Sequence, residues 1–279
     1  MKIIDTIINS NIFIALAAVL LTLSTQVQLG LEVHSHKYLY LIFFATLLEY
    51  NFHKLVVIWK NDEEYKNKKY DWVKANLKFF YTLIFISLGA FLFFVFTSKV
   101  EVVIAFLIFG SVTFFYSQPF LNLFNIRSIP YMKVFIIAII WSLTTSILPL
   151  IYSHNHINEN VILILIERIF FLLAITIPFD IRDIEQDNLA GIRTFGTKFG
   201  KEKAYKLAYI SIIIFLGISI YHYHSQFYIL ISMLISGLST MFFLHNKSIR
   251  ETQYYYYGVL DGTMLLQGLL VLGAYYLMI

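Results

Sequence analysis

The sequence has no cysteine and few charged residues. Among its 279 residues the absence of cysteine excludes disulfide bonds and thiol chemistry. Asp, Glu, Lys and Arg make up only 14% of the chain, whereas a soluble domain carries roughly 25%. Hydrophobic residues make up 59%, and the mean hydropathy is +0.72. This composition predicts an integral membrane protein.

The apolar runs are continuous and close to membrane-spanning length, which is typical of helices and not of the short alternating strands of a barrel. We therefore predict an all-α, polytopic membrane protein, with residues 1–279 forming a single domain around a helix bundle. Nine transmembrane spans are predicted. They lie at 11–29, 37–58, 77–97, 101–118, 132–152, 161–179, 203–223, 226–244 and 257–279.

Basic residues are distributed unevenly between the predicted loops. The loops after the odd-numbered spans hold only Lys99, with Lys37 at a helix edge. The loops after the even-numbered spans hold Lys60, Lys66, Lys68, Lys69, Lys74, Arg127, Arg182, Arg193, Lys198, Lys201, Lys247 and Arg250. Because cytoplasmic loops carry the excess of Lys and Arg, these loops and the N-terminus are predicted to be cytoplasmic and the C-terminus outside. The expected location is the bacterial inner (plasma) membrane.

An acidic stretch follows the sixth predicted span, with the sequence DIRDIEQDNLAGIRTFGTKFG. Asp180, Asp183 and Asp187 stand at i, i+3 and i+7, so a helix places their carboxylates on one face. Like charges on one face repel each other and favour a bound cation. Oxygen-only ligands suit Mg²⁺, which often shares itself with a phosphate. The alternative is a solvated acidic helix end neutralised by nearby basic residues.

Charged residues also fall inside predicted spans, where they are costly and are functional candidates by default. Glu167 and Arg168 are neighbours in the sixth span, and Asp261 lies in the ninth. For the neighbouring pair we favour a structural role, in which each side chain finds a partner on another helix. No partner can be named for Asp261.

The motif D-x-x-D-x-x-x-D, followed by G-x-x-T and then K-F-G, resembles the UbiA superfamily of intramembrane prenyltransferases. A second stretch agrees with the loop between the family's fourth and fifth helices. It reads Tyr116-Ser117-x-Pro119 and then Arg127-Ser128-Ile129-Pro130-Tyr131-x-Lys133. The resemblance implies a nine-helix bundle around a central cavity. It also implies transfer of a polyprenyl group from its diphosphate to an aromatic or other acceptor, with two Asp-rich loops that bind Mg²⁺ and the diphosphate.

The first Asp-rich motif of the family is degenerate in this chain. Asn51 remains, but Phe52, Leu55 and Trp59 occupy the three Asp positions. Apolar side chains cannot bind a metal, so we expect one Mg²⁺ on the second motif instead of two. Fixed cations can neutralise a leaving diphosphate in place of a metal. The diphosphate ligands expected from the resemblance and from charge are Asn51, His53, Lys54, Arg127, Lys133, Arg182 and Lys198.

Three functions remain open. The first is a UbiA-like prenyltransferase, with Asp180, Asp183, Asp187 and Tyr116 as catalytic residues and the three aspartates as Mg²⁺ ligands. Its partners would be a prenyl diphosphate, an unidentified acceptor and membrane lipid, without nucleic acid or a protein partner. The second is a catalytically impaired relative that binds an isoprenoid or lipid without transferring it. The third is a transporter, which ranks last because the expected Gly/Pro-broken helices are not visible.

Two arrangements distinguish the first function from the second. If Asn51, His53 and Lys54 lie across one cavity from the three aspartates, the prenyltransferase is favoured. If Phe52 and Leu55 fill that cavity instead, the binding protein is favoured. The alternative roles of His53 and Lys54 are a packed side chain and a lysine that extends to the cytoplasm.

Overall fold

The computed structural model of the chain describes residues 2–60, 70–117, 129–189 and 191–278, and within these ranges the fold is all-helical. A π-helical turn (Tyr255–Leu260) leads directly into the last helix. The helices are α1 (Lys2–Asn9), α2 (Ile12–Gln28), α3 (Lys37–Lys60), α4 (Asp71–Ala75), α5 (Leu77–Thr97), α6 (Val100–Ser117), α7 (Met132–Tyr152), α8 (Glu159–Arg182), α9 (Ile184–Leu189), α10 (Phe195–His222), α11 (Phe227–His245), α12 (Lys247–Arg250) and α13 (Asp261–Met278).

Each of the nine predicted spans coincides with a helix, but their lengths differ. Seven described helices are long and apolar enough to cross a membrane, namely α3, α5, α7, α8, α10, α11 and α13 with its π-helical turn. Helices α1 and α2 pass this test only together, and the chain bends by 69° between them. Helix α6 (Val100–Ser117) has described side chains only as far as Thr113, and the stretch Val100–Thr113 is too short to pass this test. The described part of the chain therefore contains seven candidate spans, or eight with the bent pair, and a count of nine is not established.

Helix α8 lies at the centre of the bundle. Of its most apolar 18-residue stretch 61% is buried inside the protein, which is the largest share among the seven candidate spans. Its neighbours α7 and α10 pack along it, and Phe171 and Ala174 are fully buried in the resulting core. The acidic residues at the end of α8 therefore lie where α7, α8 and α10 meet.

The charged pair inside α8 is built into a polar network. Glu167 Oε1 accepts hydrogen bonds from the Tyr223 hydroxyl at 2.7 Å and from Gln28 Nε2 at 2.8 Å. Arg168 donates to Gln28 Oε1 at 2.8 Å and to Thr145 Oγ1 at 3.1 Å. These contacts join α2, α7, α8 and α10, and they confirm the structural role predicted for the pair. A buried charge is tolerated where it is paired and hydrogen-bonded in this way.

Helices α2 and α13 approach each other closely at one glycine. A Cβ atom added to Gly268 would lie 2.6 Å from Leu20 Cβ and 2.8 Å from its carbonyl oxygen. Part of this contact is backbone, so it cannot be relieved by a side-chain rotation. Small residues let helices pack this closely in membranes, where burial from water provides no driving force.

The substitution Gly268→Ala should therefore destabilise the bundle. Overpacking of this kind costs about 1–3 kcal/mol, and we expect a lower apparent melting temperature for the detergent-purified protein. The matched control is Gly273→Ala, because Gly273 lies in the same helix with nothing within 4 Å of its added Cβ. Equal melting temperatures for the two variants would contradict the packing described here.

Candidate functional site

The three aspartates of the acidic stretch surround one ammonium group. Asp180 lies in the last turn of α8, Asp183 caps that helix, and Asp187 belongs to α9. The Nζ atom of Lys133, from α7, lies 3.3 Å from Asp180 Oδ1 and 3.2 Å from Asp183 Oδ2. It lies 3.0 Å from Asp187 Oδ2. The predicted clustering of the carboxylates is confirmed, with Lys133 at its centre.

The start of α10 holds the end of α8 in place. Thr194 and Thr197 form a capping box, in which each backbone N–H donates to the other residue's hydroxyl, at 2.8 and 3.3 Å. Within this turn Gly196 packs against α8, so that an added Cβ would lie only 2.6 Å from the carbonyl oxygen of Asp180. The turn Thr194–Thr197, which begins at the last residue of the G-x-x-T segment, thus fixes the position of the first aspartate.

Tyr131 positions the start of α7, and with it Lys133. Its backbone has a φ of 65°, and its N–H donates to the carbonyl of Arg193 at 2.9 Å. Its ring contacts Phe195 and Phe199, with centroids 5.4 and 6.0 Å away. Since Lys133 follows two residues later, these contacts set the depth at which its ammonium enters the site.

Arg182 provides a second positive charge beside the aspartates. Its Nε and Nη2 atoms donate to Asp183 Oδ1 at 2.7 Å and Oδ2 at 3.0 Å. Its guanidinium also lies over the rings of Phe179 and Tyr257, at 4.8 and 5.0 Å. Burial alone would raise the pKa of Asp183, but Arg182 and Lys133 together lower it to about 2. The carboxylate is therefore ionised at physiological pH, and its stabilising contacts weaken only as the pH falls toward 2.

Several polar atoms of this cluster are buried without a hydrogen bond in the described structure. They include both carboxylate oxygens of Asp180, although Oδ1 is near the Lys133 ammonium, and Nη1 of Arg182. An unsatisfied buried polar group costs about 1–3 kcal/mol. A ligand that supplies both an acceptor for Arg182 and a cation for Asp180 would remove this cost.

Asp180 and Arg182 both line a cavity of about 340 Å³. Its charged wall is formed by His53, Lys54, Lys133, Asp180, Arg182 and Asp183. The rest of the wall is mainly apolar and includes Ile140, Trp141, Leu172 and Ile175. Phe52 and Leu55 do not fill it, because they pack in a separate cluster with Val73 and Phe80. The arrangement that would favour a binding protein is therefore not found.

Asn51 and Lys54 both contact the bend between α1 and α2. Asn51 is fully buried outside the cavity wall, where it donates to Ser10 O at 2.9 Å and accepts from Asn11 Nδ2 at 2.8 Å. Lys54 lies on the wall, and its Nζ donates to Asn9 O at 2.7 Å and to Asn11 Oδ1 at 3.1 Å. His53 and Lys54 thus line the same cavity as Asp180 and Asp183, whereas Asn51 does not.

The remaining predicted residues are not part of the described cavity wall. Lys198 is exposed in the first turn of α10. Asp187 lies behind the wall and reaches the site through Lys133. The side chain of Tyr116, in α6, and the whole of Arg127 lie outside the described residues. Their predicted roles remain predictions.

The cavity also contains two acidic residues outside the motif. Asp261 and Glu49 both line it, and Glu49 borders an adjoining cavity of about 50 Å³ as well. Glu49 was not among the predicted residues. The signal that could have revealed it is a carboxylate within the second predicted span, since charges inside the membrane are rarely incidental.

Comparisons with known proteins give the family. The UbiA prenyltransferase family matches residues 73–254, and the chain, an integral membrane protein, belongs to this family. A UbiA homologue from Aeropyrum pernix K1, solved in its apo form, is similar with a TM-score of 0.67 and 8% identity, over 93% of this chain and 97% of that one. No curated protein sequence matches the chain.

A second solved structure is also similar, a UbiA homologue from Archaeoglobus fulgidus bound to GPP and Mg²⁺. Its TM-score is 0.62, with 14% identity over 98% of both chains. At these identities the solved structures establish a UbiA-like helical fold and no more. The family and the fold agree with the resemblance inferred from the acidic motif.

The substitution Lys133→Met should destabilise the protein, because it leaves the buried carboxylates of Asp180 and Asp187, and the partly buried one of Asp183, without their shared ammonium. Removing one partner of a buried ion pair costs about 3–5 kcal/mol, so the apparent melting temperature should fall by several degrees. Added Mg²⁺ should restore more stability to this variant than to the wild type. The control is Lys78→Met, because Lys78 is exposed. A variant as stable as the wild type would contradict the central position of Lys133.

Proposed function

We propose that the protein is a prenyltransferase, a single domain over residues 1–279, which moves a polyprenyl group from its diphosphate to an aromatic or lipid acceptor. The observation that carries this proposal is the cavity, which has a charged end and an apolar remainder. A prenyl diphosphate has the same division between an anionic head and an apolar chain. The family supports the reaction class, and binding of GPP by the Archaeoglobus homologue supports the substrate class.

The acidic motif fits one Mg²⁺ better than two. With Lys133 among the carboxylates, no group of three or more His, Asp or Glu side chains in the described ranges is arranged to hold a metal. However, Mg²⁺ keeps several waters and needs only one or two carboxylates together with substrate phosphates. Asp180 offers two buried oxygens without hydrogen bonds. We therefore propose one Mg²⁺ held by Asp180, with Asp183 and Asp187 as its other candidate ligands.

The residues of this chain would bind the diphosphate and exclude water. Arg182 Nη1, which lacks a hydrogen-bond partner, donates to a diphosphate oxygen, and His53 and Lys54 contribute further positive or polar groups across the cavity. A bound Mg²⁺ would neutralise negative charge on the leaving diphosphate. The apolar wall holds the prenyl chain away from water, and the face of Trp141 stabilises positive charge on its first carbon.

The alternative is a relative that binds an isoprenoid without transferring it. The observation that favours it is the replacement of the first motif's aspartates by Phe52, Leu55 and Trp59, which removes one metal site. Lys54 is also engaged at the bend between α1 and α2. In both cases we propose that the acidic end of the cavity faces the cytoplasm of a bacterial cell, as the distribution of basic residues predicts.

Product analysis of the purified protein tests the proposal. It should be incubated with prenyl diphosphates of several lengths and a panel of phenolic and alcoholic acceptors, with and without Mg²⁺. We expect prenylated product that depends on Mg²⁺. Tight prenyl diphosphate binding without any product, across the whole panel, would support the alternative.

Within this assay, Asp180→Asn should lower the rate of transfer by at least about 100-fold, the effect of removing one preorganised electrostatic group from an active site. The control is Glu185→Gln, in the same acidic stretch but exposed and away from the cavity. Its rate should match the wild type. Equal rates for the two variants would contradict the role of Asp180.

Lys54→Ala should weaken binding of geranyl diphosphate about tenfold or more, since a hydrogen bond to a charged group contributes about 1.5–3 kcal/mol. Isothermal titration calorimetry with the detergent-purified protein measures the affinity directly. Lys78→Ala, at an exposed position, is the control. An unchanged affinity for Lys54→Ala would show that Lys54 only secures the bend between α1 and α2.

A further inference from the structure

Glu49 is a carboxylate inside a membrane-spanning helix, and the motif does not account for it. It lines the cavity together with Tyr50, His53 and Lys54 of the same helix. These four residues form two i, i+4 pairs, so they share one face of α3. Within the described ranges no hydrogen bond or ion pair of Glu49 is found. A charge in this position without a structural partner is a functional candidate.

The depth of Glu49 in the cavity follows from helix geometry. Glu49 precedes Lys54 by five residues, which corresponds to about 7.5 Å along the helix axis at a rise of 1.5 Å per residue. The aspartates, Lys133 and Arg182 stand at the other helix ends, on the same side of the bundle as Lys54. Glu49 is therefore one to two turns deeper than the groups that would bind a diphosphate.

This depth matches the position of the reacting carbon. If the diphosphate lies among the cations at the mouth, the first carbon of the prenyl chain lies one C–O bond further in. The acceptor must approach that carbon from the side away from the diphosphate, which is the deeper side. Proton acceptors work within hydrogen-bond reach of the atom that they deprotonate. Glu49 is the carboxylate of α3 on the cavity wall at this level.

Asp261 is the other acid on the wall outside the motif, but its surroundings differ. Tyr257, one turn before Asp261, has its ring 5.0 Å from the Arg182 guanidinium, so Asp261 lies on the Arg182 side of the cavity. Glu49, on α3, makes no ion pair among the described residues. A carboxylate without a fixed counter-ion is better suited to take up a proton, because the charge lost on protonation is not needed to balance a neighbour.

We propose that Glu49 is the catalytic proton acceptor for the acceptor substrate, and that this substrate is a neutral compound with a hydroxyl group. The proposal rests on the proposed function. The bond between the prenyl carbon and the diphosphate oxygen breaks, and its electron pair leaves with the diphosphate. A new bond forms from the acceptor to the prenyl carbon, and the proton that the acceptor loses passes to a carboxylate oxygen of Glu49.

The acceptor class follows from charge. The cations on the described wall, Lys54, Lys133 and Arg182, with His53, belong to the mouth. A carboxylated acceptor would bring a second negative charge next to Glu49 in a largely apolar cavity, where like charges repel strongly. A neutral phenol or alcohol avoids this repulsion and can donate its hydroxyl hydrogen to Glu49.

The test compares Glu49→Gln with Glu101→Gln, a control at an exposed position in α6. The full-length protein is assayed with geranyl diphosphate, neutral phenols and alcohols, and carboxylated phenols of similar size. Binding of geranyl diphosphate is measured separately by calorimetry. For Glu49→Gln we expect kcat to fall at least about 100-fold, the range for loss of a general base, with binding of geranyl diphosphate within twofold of the wild type. Glu101→Gln should behave as the wild type.

Each outcome decides the proposal. Normal transfer by Glu49→Gln would overturn it, and so would a parallel loss of geranyl diphosphate binding, which would indicate a role in substrate binding or folding. Transfer by the wild type to carboxylated phenols as fast as to neutral ones would overturn the acceptor class. If the wild type binds geranyl diphosphate but transfers it to none of the acceptors, the proposed function itself fails and the role of Glu49 fails with it.

Discussion

The site depends on three carboxylates gathered around one lysine, two of them fully buried. Asp180, Asp183 and Asp187 carry three negative charges, which Lys133 and Arg182 offset with two positive ones. Buried charges persist only when they are paired, so the junction of α7, α8 and α9 needs Lys133 to hold together. One negative charge is left in excess, and neither carboxylate oxygen of Asp180 has a hydrogen bond among the described residues.

The charged groups in the middle of α8 and those at its end have opposite surroundings. Around Glu167 and Arg168, carboxylate and guanidinium groups find hydrogen-bond partners on three neighbouring helices. Around Asp180 and Arg182, buried atoms of both signs are left without hydrogen bonds beside a cavity. Sequence alone presents both as charges in or near one apolar helix. The difference between a structural network and a binding site becomes visible only in how completely the polar atoms are satisfied.

The features that could be predicted from the sequence are local ones. The spacing of Asp180, Asp183 and Asp187 gave their common face, because helix periodicity depends on neighbouring residues. The contact between Lys133 and Asp187 spans 54 residues along the chain, and no local pattern specifies such a pairing. Asn51 was expected at the site from its motif position, but the bend between α1 and α2 uses its amide.

The network within α8 has a consequence for how the chain enters the membrane. A lone charge at the centre of a helix costs about 2.5–3.5 kcal/mol on insertion, and α8 carries two. Gln28 forms hydrogen bonds to both Glu167 and Arg168. It precedes Glu167 by 139 residues, so it is synthesised earlier. Tyr223 follows 56 residues after Glu167. Helix α8 thus reaches its lowest free energy in lipid only after α10 has been synthesised, so insertion and assembly of this segment are coupled in time.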